Sequence, residues 1–181
     1  MSWQIRRARA ADMASFAEIV NEHIRSGVAH FGDQAQAAGD WQADWEPLRD
    51  RYPWLVAERD GRVDAIAYAK PFNPRAAYDW TSETTIYVRD GRQGQGIGSA
   101  LYGRLLNLLD AQGYRCLIAG ITLPNDASVA LHESLGFEYL GTLEQVGYKL
   151  GSWHDVGSWQ RHAGSRDDAP GPILAVDAID T

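Results

Sequence analysis

Two rhythms of apolar residues run along this chain, one at helical and one at strand spacing. Met13, Phe16, Ala17, Val20 and Ile24 recur on one helical face, which predicts an amphipathic helix from about Asp12 to Ser26. Ahead of it, "WQIRRAR" alternates weakly and predicts a first strand, Trp3 to Arg9. "GVAHFGDQAQAAGD" reads as loop, and Asp40 is expected to cap a helix through "WQADWEPLRDRY". "WLVAERDGRVDAIAYAKP" sets two apolar runs around Asp60-Gly61, the clearest hairpin signal in the chain.

After the polar loop "FNPRAAYD", the run "WTSETTIYV" predicts a strand that enters a glycine-rich stretch. Ile97, Leu101, Leu105, Leu108 and Leu109 then share one face of a helix expected over Gly98 to Gln112 and ended by Gly113. "YRCLIAGIT" is a short strand of buried type, and the intervening helix makes it parallel to its predecessor. "NDASVALHESLGF" predicts a helix capped by Asn125 or Asp126 and stopped by Gly136. "EYLGTLEQVGYKL" and "WHDVGSWQRH" predict two closing strands. The order is α/β, with one domain over residues 1–162 and a loosely attached tail over 163–181.

Composition narrows the partners. Seventeen Lys and Arg against 24 Asp and Glu leave a net charge of -7, so a nucleic-acid partner is disfavoured. A polyanionic ligand must then be held by a local cluster of donors. The single cysteine, Cys116, excludes an intramolecular disulfide and sits in an apolar run as a buried structural thiol. The start "MSWQIRRARAADM" has no apolar signal core and no stretch approaches a membrane span. A soluble, cytoplasmic protein without a membrane partner is expected. His23, His30, His154 and His162 show no ligand spacing with carboxylates, so no metal is expected.

Gly94, Gly96 and Gly98 sit where a strand gives way to a helix. A P-loop would need Gly-Lys-Ser/Thr, but Gly98 is followed by Ser99-Ala100; no frame gives the dinucleotide fingerprint either. What remains is Gln-x-x-Gly-x-Gly, carried by Gln93, Gly96 and Gly98, or a plain flexible turn. In the first reading, backbone N–H groups converge on an anion at the helix start, with Arg89 and Arg92 adding charge.

The context on both sides of that turn resembles the acetyl-CoA core of the GCN5-related N-acetyltransferases: "TTIYV", "RQGQGIGSALYGRLL", "YRCLIAGITLPNDASVALHESLGFEYLG". Within that superfamily, "RYPWLVAE", "AYDWTSETTIYV", "GITLPNDASVALHESLGF" and "GYKLGSWHDVGSWQ" resemble the phosphinothricin acetyltransferases from about Ile5 to Gln160. The resemblance implies a mixed central sheet with a splayed parallel strand pair flanked by helices. It implies acetyl-CoA as co-substrate, held by Gln93, Gly94, Gln95, Gly96, Ile97, Gly98 and Ser99 at the pyrophosphate. Ile86, Tyr87, Val88 and Asn125 would lie along the pantetheine arm, with the Val88 N–H as oxyanion donor. It also implies a homodimer, for which the aromatic-rich end of the chain is a suitable surface.

Forming an amide from an ammonium and a thioester needs a proton acceptor and a donor to the leaving thiolate. The resemblance puts Glu83 and His132 in those roles, and either can serve as the base. Arg75 and Tyr78 match the family as receivers of a small amino-acid acceptor, with Phe31 walling the pocket. Lys70 departs from the family's usual "AYAGP", and "GDQA" (Gly32 to Ala35) replaces its Thr-Glu-Pro run. The implied activity is N-acetylation of phosphinothricin or a similar small amino acid. Methionine sulfoximine or sulfone is the alternative acceptor, and a non-catalytic acyl-CoA sensor the alternative from another class.

Overall fold

The hairpin expected around Asp60-Gly61 is present. Strands β2 (Trp54–Arg59) and β3 (Arg62–Pro71) pair antiparallel. Asp60 and Gly61 take φ 53 and 76, the double positive value that a tight turn between right-twisted strands requires. The computed structural model describes residues 3–164 and 168–179. Around the hairpin it builds a seven-stranded mixed sheet in the order β1-β2-β3-β4-β5-β7-β6. The other strands are β1 (Gln4–Arg7), β4 (Thr81–Val88), β5 (Cys116–Leu123), β6 (Glu138–Lys149) and β7 (Ser152–His162). Four helices flank them: α1 (Met13–Ser26), α2 (Ala38–Trp45), α3 (Ile97–Gln112) and α4 (Asp126–Ser134).

The sheet has two chemically distinct faces. On one, Phe16 of α1 packs on Trp54 and Tyr68, with ring centroids 5.3 and 6.2 Å apart, and Trp41 of α2 closes the cluster. On the other, Leu101, Leu105, Leu108 and Leu109 of α3 are buried, each stabilising the fold by about 1.5–3 kcal/mol. Tyr102 of α3 marks this second face, its hydroxyl 2.7 Å from Thr84 Oγ1. Tyr68 pairs with Thr85, so alternation puts Tyr68, Lys70, Glu83, Thr85 and Tyr87 toward α1 and α2, and Thr84, Ile86 and Val88 toward α3.

Three expectations are corrected. The first strand covers only Gln4–Arg7, because Arg9 and the 3-10 turn after it already lead into α1. Asp40 is not the cap residue of α2 but lies in its first turn, where its carboxylate accepts from Ala37 N at 2.8 Å. The helix also stops at Trp45, well short of Tyr52. The tail is not loose over its described part: Trp80 Nε1 donates to Gly171 O at 2.7 Å, Leu174 N to Gln112 O at 3.0 Å, and Val176 is buried. Of the expected tail, residues 165–167 and 180–181 lie outside the described residues. Cys116 is half-buried, its Sγ accepting from Gln160 Nε2.

The loop between α1 and α2 is pinned at both ends. Asn21 and Gln36 exchange two bonds of 2.9 Å between side-chain amide and main chain. Lys149, at the end of β6 and buried, donates its ammonium to Ile24 O and His30 O, each at 2.7 Å. The Phe31 ring lies against Gly147 so closely that any side chain there would collide with it. Lys149→Met leaves two carbonyls without their donor and is expected to destabilise the fold by about 1–3 kcal/mol. Amide hydrogen exchange over residues 27–36 should accelerate at the same time. Unchanged exchange there would show that Lys149 does not hold the loop.

Candidate active site

The parallel pair β4–β5 is bonded over only three positions: Thr81↔Cys116, Ser82↔Leu117 and Glu83↔Ile118. Both strands continue, β4 to Val88 and β5 to Leu123, while β5 stays paired with β7 along its other edge. The backbone pattern tells what this leaves open. Arg89 N donates to Asp64 O at 2.9 Å, so Arg89, Tyr87, Thr85 and Glu83 form the hydrogen-bonded pairs with β3. Their neighbours Thr84, Ile86 and Val88 turn their amides the other way, toward β5; the ladder ends at the Glu83↔Ile118 pair, which engages Thr84, and no strand meets Ile86 and Val88. The main-chain groups of Ile86 and Val88 therefore face a cleft.

That cleft has a volume of about 490 Å³. It runs from Glu83, along β4, to the start of α3. Gly94 and Gly96 take φ 73 and 81, a left-handed conformation that side chains resist, and this turns the chain into the helix. Gly96 is the N-cap and has no side chain to accept a bond. The first amide bonded within the helix is that of Ala100, to Gly96 O at 3.1 Å, so the N–H groups of Ile97, Gly98 and Ser99 have no helical partner. Free amides clustered at a helix start suit an anion.

The arginines expected to reinforce this site are spent elsewhere, which corrects that part of the reading. Arg89 is buried and bonded to Glu18 at 3.1 Å, Glu22 at 2.8 Å and Val63 O at 3.2 Å, tying α1 to the end of β4. Arg92 pairs with Asp64 at 3.3 Å. Both guanidinium groups are paired with carboxylates of other elements.

Gln93, Gly94, Gly96, Ile97, Gly98, Ser99, Ile86, Tyr87, Val88 and Asn125 all line the cleft, as do Glu83 and His132. Gln95 does not: it turns back onto Gly91 O at 3.3 Å. Asn125 caps α4, its Oδ1 accepting from Ser128 N at 3.1 Å, and it faces the cleft as well. Phe31, Arg75 and Tyr78 do not line it. Arg75 is exposed at the head of a 3-10 turn over Ala76–Tyr78, Tyr78 packs edge-on against Phe72 at 5.7 Å, and Phe31 sits against Gly147.

The two ionisable candidates reach the cleft from opposite faces of the sheet. Glu83 lies on the α1/α2 face, half-exposed, with Lys70 Nζ 3.1 Å from its carboxylate. His132 lies on the α3/α4 face, buried, its ring 4.9 Å from Tyr102 and 5.2 Å from Phe137. Its Nδ1 is 2.7 Å from Ser128 O, which can only accept, so Nδ1 carries the hydrogen and Nε2 the free lone pair. Burial lowers the His132 pKa below the ordinary histidine value, with the Ser128 bond opposing it in part. The ring is neutral at neutral pH.

His23 was not singled out for this site. It lines the cleft from the last turn of α1 and its Nε2 donates to Val88 O at 3.1 Å, with the ring 5.1 Å from Tyr87. Its place three residues after Val20 on the buried stripe was the available signal. Among the described residues no three His, Cys, Asp or Glu groups gather to hold a metal ion.

Comparison with known proteins agrees with the splayed sheet. The family model described as an acetyltransferase (GNAT) domain matches residues 5–157. A phosphinothricin N-acetyltransferase of Streptomyces viridochromogenes is 52% identical over 158 residues, covering 87% of this chain and 86% of the relative. An L-methionine sulfoximine/L-methionine sulfone acetyltransferase of Pseudomonas paraeruginosa is 34% identical over 174 residues, 94% of this chain and 100% of its own. The solved GNAT-superfamily phosphinothricin acetyltransferase of Sinorhizobium meliloti, in complex with AcCoA, superposes with a TM-score of 0.90 at 34% identity over 94% of each chain. An open parallel strand pair feeding an uncapped helix, together with a family match across most of the sequence, places this chain in the GNAT acetyltransferase family.

Proposed function

We propose that the protein transfers an acetyl group from acetyl-CoA to the free amine of phosphinothricin or a similar small amino acid, by direct attack with both substrates bound. The observation that carries this reading is the cleft itself: unpaired β4 amides lead from a carboxylate and a neutral imidazole to three free helix amides. The amides of Ile97, Gly98 and Ser99 suit a pyrophosphate, and the apolar wall of Ile86, Ile121 and Leu131 suits a pantetheine arm. The thioester supplies the activated acyl group. The Val88 N–H, aimed into the cleft, meets the oxygen that gains charge during attack. His23 fixes the following carbonyl and with it the orientation of the strand end.

Over the whole reaction the amine nitrogen sheds two protons and the sulfur takes one. Glu83, on the face open toward α1 and α2, takes the first, directly or through water. His132 on the opposite face takes the second at its unprotonated Nε2 and returns it to the departing sulfur. Its lowered pKa makes that return easy once it is protonated. Methionine sulfoximine and sulfone remain alternative acceptors, because the same cleft chemistry serves any small α-amine. Acetylation blocks the amine of phosphinothricin, so herbicide resistance in the host follows from this activity. A cytoplasmic location belongs to the same reading, since a single free thiol stays reduced there. Cell fractionation checks it.

The reading includes a homodimer. Leu143, Val146, Tyr148, Leu150 and Trp153 are exposed together on the β6–β7 hairpin, an apolar surface of the kind that a second copy covers. Sedimentation equilibrium should give about twice the 20.0 kDa chain mass; a monomer at all concentrations would end that part of the reading.

The activity is tested by thiol release from acetyl-CoA across a panel of amino acids. Release should require phosphinothricin or another small amino acid. Tight acetyl-CoA binding with no turnover of any amine would favour a sensor instead. Glu83→Gln should lower kcat/KM about 10²- to 10⁴-fold while acetyl-CoA affinity holds. In the pH profile the neutral His132 is the active form, so kcat/KM should fall as pH drops below the ordinary histidine value of about 6.5. The fold weakens over the same range, because the unfolded chain takes a proton that the buried ring refuses. Rates therefore need measuring well below Tm. His132→Gln should be slow and should lose this part of the acid limb; a profile unchanged by the substitution would remove His132 from the chemistry.

A further inference from the structure

A second cavity, of about 480 Å³, opens on the α1/α2 face between α2 and β3. Its walls include His30, Gln36, Trp41, Trp54, Tyr68 and Lys70. One ion pair links its wall to that of the acetyl-transfer cleft. Lys70 lines this chamber, Glu83 lines the cleft, and the two are paired in register across β3 and β4 with Nζ and Oε1 3.1 Å apart. His30 makes a second bridge, since its ring lies in the chamber wall and 6.1 Å from Tyr87, which lines the cleft.

The chamber has an aromatic wall: Trp41 and Trp54 are 95% and 96% buried and Tyr68 is buried beside them. Lys70 is the cation in its wall, at the side facing the cleft, and Asp44, the carboxylate among the lining residues, is exposed to solvent. Arg75, the cation that the family resemblance implied for the acceptor, lines neither cavity.

Electrostatics then constrains the acceptor. A substrate ammonium approaching Glu83 meets a carboxylate already shared with the Lys70 ammonium, so two cations compete for one anion. An acceptor whose own side chain ends in an anion relieves this, because that anion takes over Lys70 while the ammonium takes Glu83. Charges then alternate from Lys70 through the acid group and the ammonium to Glu83. A neutral end group leaves the two cations facing each other.

We propose that the α2–β3 chamber receives the acceptor's side chain, and that Lys70 at its mouth selects acceptors whose side chain ends in an acid group: phosphinate, phosphonate or carboxylate. This rests on the proposed acetyltransferase activity and narrows its substrate class to acidic amino acids over neutral sulfones.

The test compares wild type, Lys70→Met, Lys70→Arg and Arg75→Met with three acceptors: phosphinothricin, methionine sulfone, and the α-carboxamide of phosphinothricin. Thiol release gives kcat/KM, and calorimetry of phosphinothricin with coenzyme A present gives affinity without turnover. Lys70→Met should lower kcat/KM for phosphinothricin and its carboxamide about 10- to 100-fold more than for methionine sulfone, the scale of a lost charge-assisted hydrogen bond. Lys70→Arg should restore most of that selectivity, and Arg75→Met should leave it unchanged. Equal losses for all acceptors, losses that follow the α-carboxylate, or selectivity that resides in Arg75 would each overturn the proposal. The calorimetry separates the two claims. A wild-type protein that binds phosphinothricin through Lys70 but acetylates nothing would refute the activity and leave the pocket standing.

Discussion

The β4–β5 ladder ends three pairs after it begins, and the rest of the site depends on that interruption. A parallel pair continued to Val88 would use up the amides of Ile86 and Val88 and close the space between the two sheet halves. Unpaired main-chain groups are tolerated only where water or a ligand reaches them, and the opening gives that access. The sheet stays whole because β5 keeps its full pairing with β7, and β4 its full pairing with β3. The cleft is a gap between two half-sheets.

Long-range anchors tie α1 and the loop after it to the sheet. Lys149 grips α1 and the following loop from the end of β6, Asn21 holds the other end of that loop, and Arg89 ties α1 to the strand leaving the cleft. These are buried or half-buried polar contacts, costly to break and fixed in direction. They set the loop over Glu83 and Lys70 with little freedom. The β6–β7 hairpin that carries Lys149 also carries the exposed apolar strip.

What the sequence disclosed follows from how local each signal is. Asp60-Gly61, the face of Leu101 to Leu109 and the Gly113 stop are written within a few residues, and the elements they predict are present. The glycine turn was readable for the same reason, since helix-start chemistry is local. Asp40 misled because a carboxylate serves an N-terminus from the first turn as well as from the cap. Arg89 and Arg92 misled more instructively: nearness in sequence to an anion site says nothing of the carboxylates that α1 and β3 bring to them. Lys149 reaches a carbonyl 125 positions away, and the Lys70–Glu83 pair exists only in one register of β3 against β4. Such contacts are properties of the assembled sheet.

Acetyl-CoA binding, as proposed, needs the open half of β4 and the uncapped start of α3 to act as one surface. Amide chemical shifts followed by NMR during titration with acetyl-CoA test it residue by residue. The signals of Ile86, Val88, Ile97, Gly98 and Ser99 should move together and saturate with a single affinity, while those of Thr81 and Ser82, inside the closed ladder, should stay in place. Movement at α3 without movement at Ile86 and Val88 would contradict the account, because the helix would then bind an anion with no part played by the splayed strand.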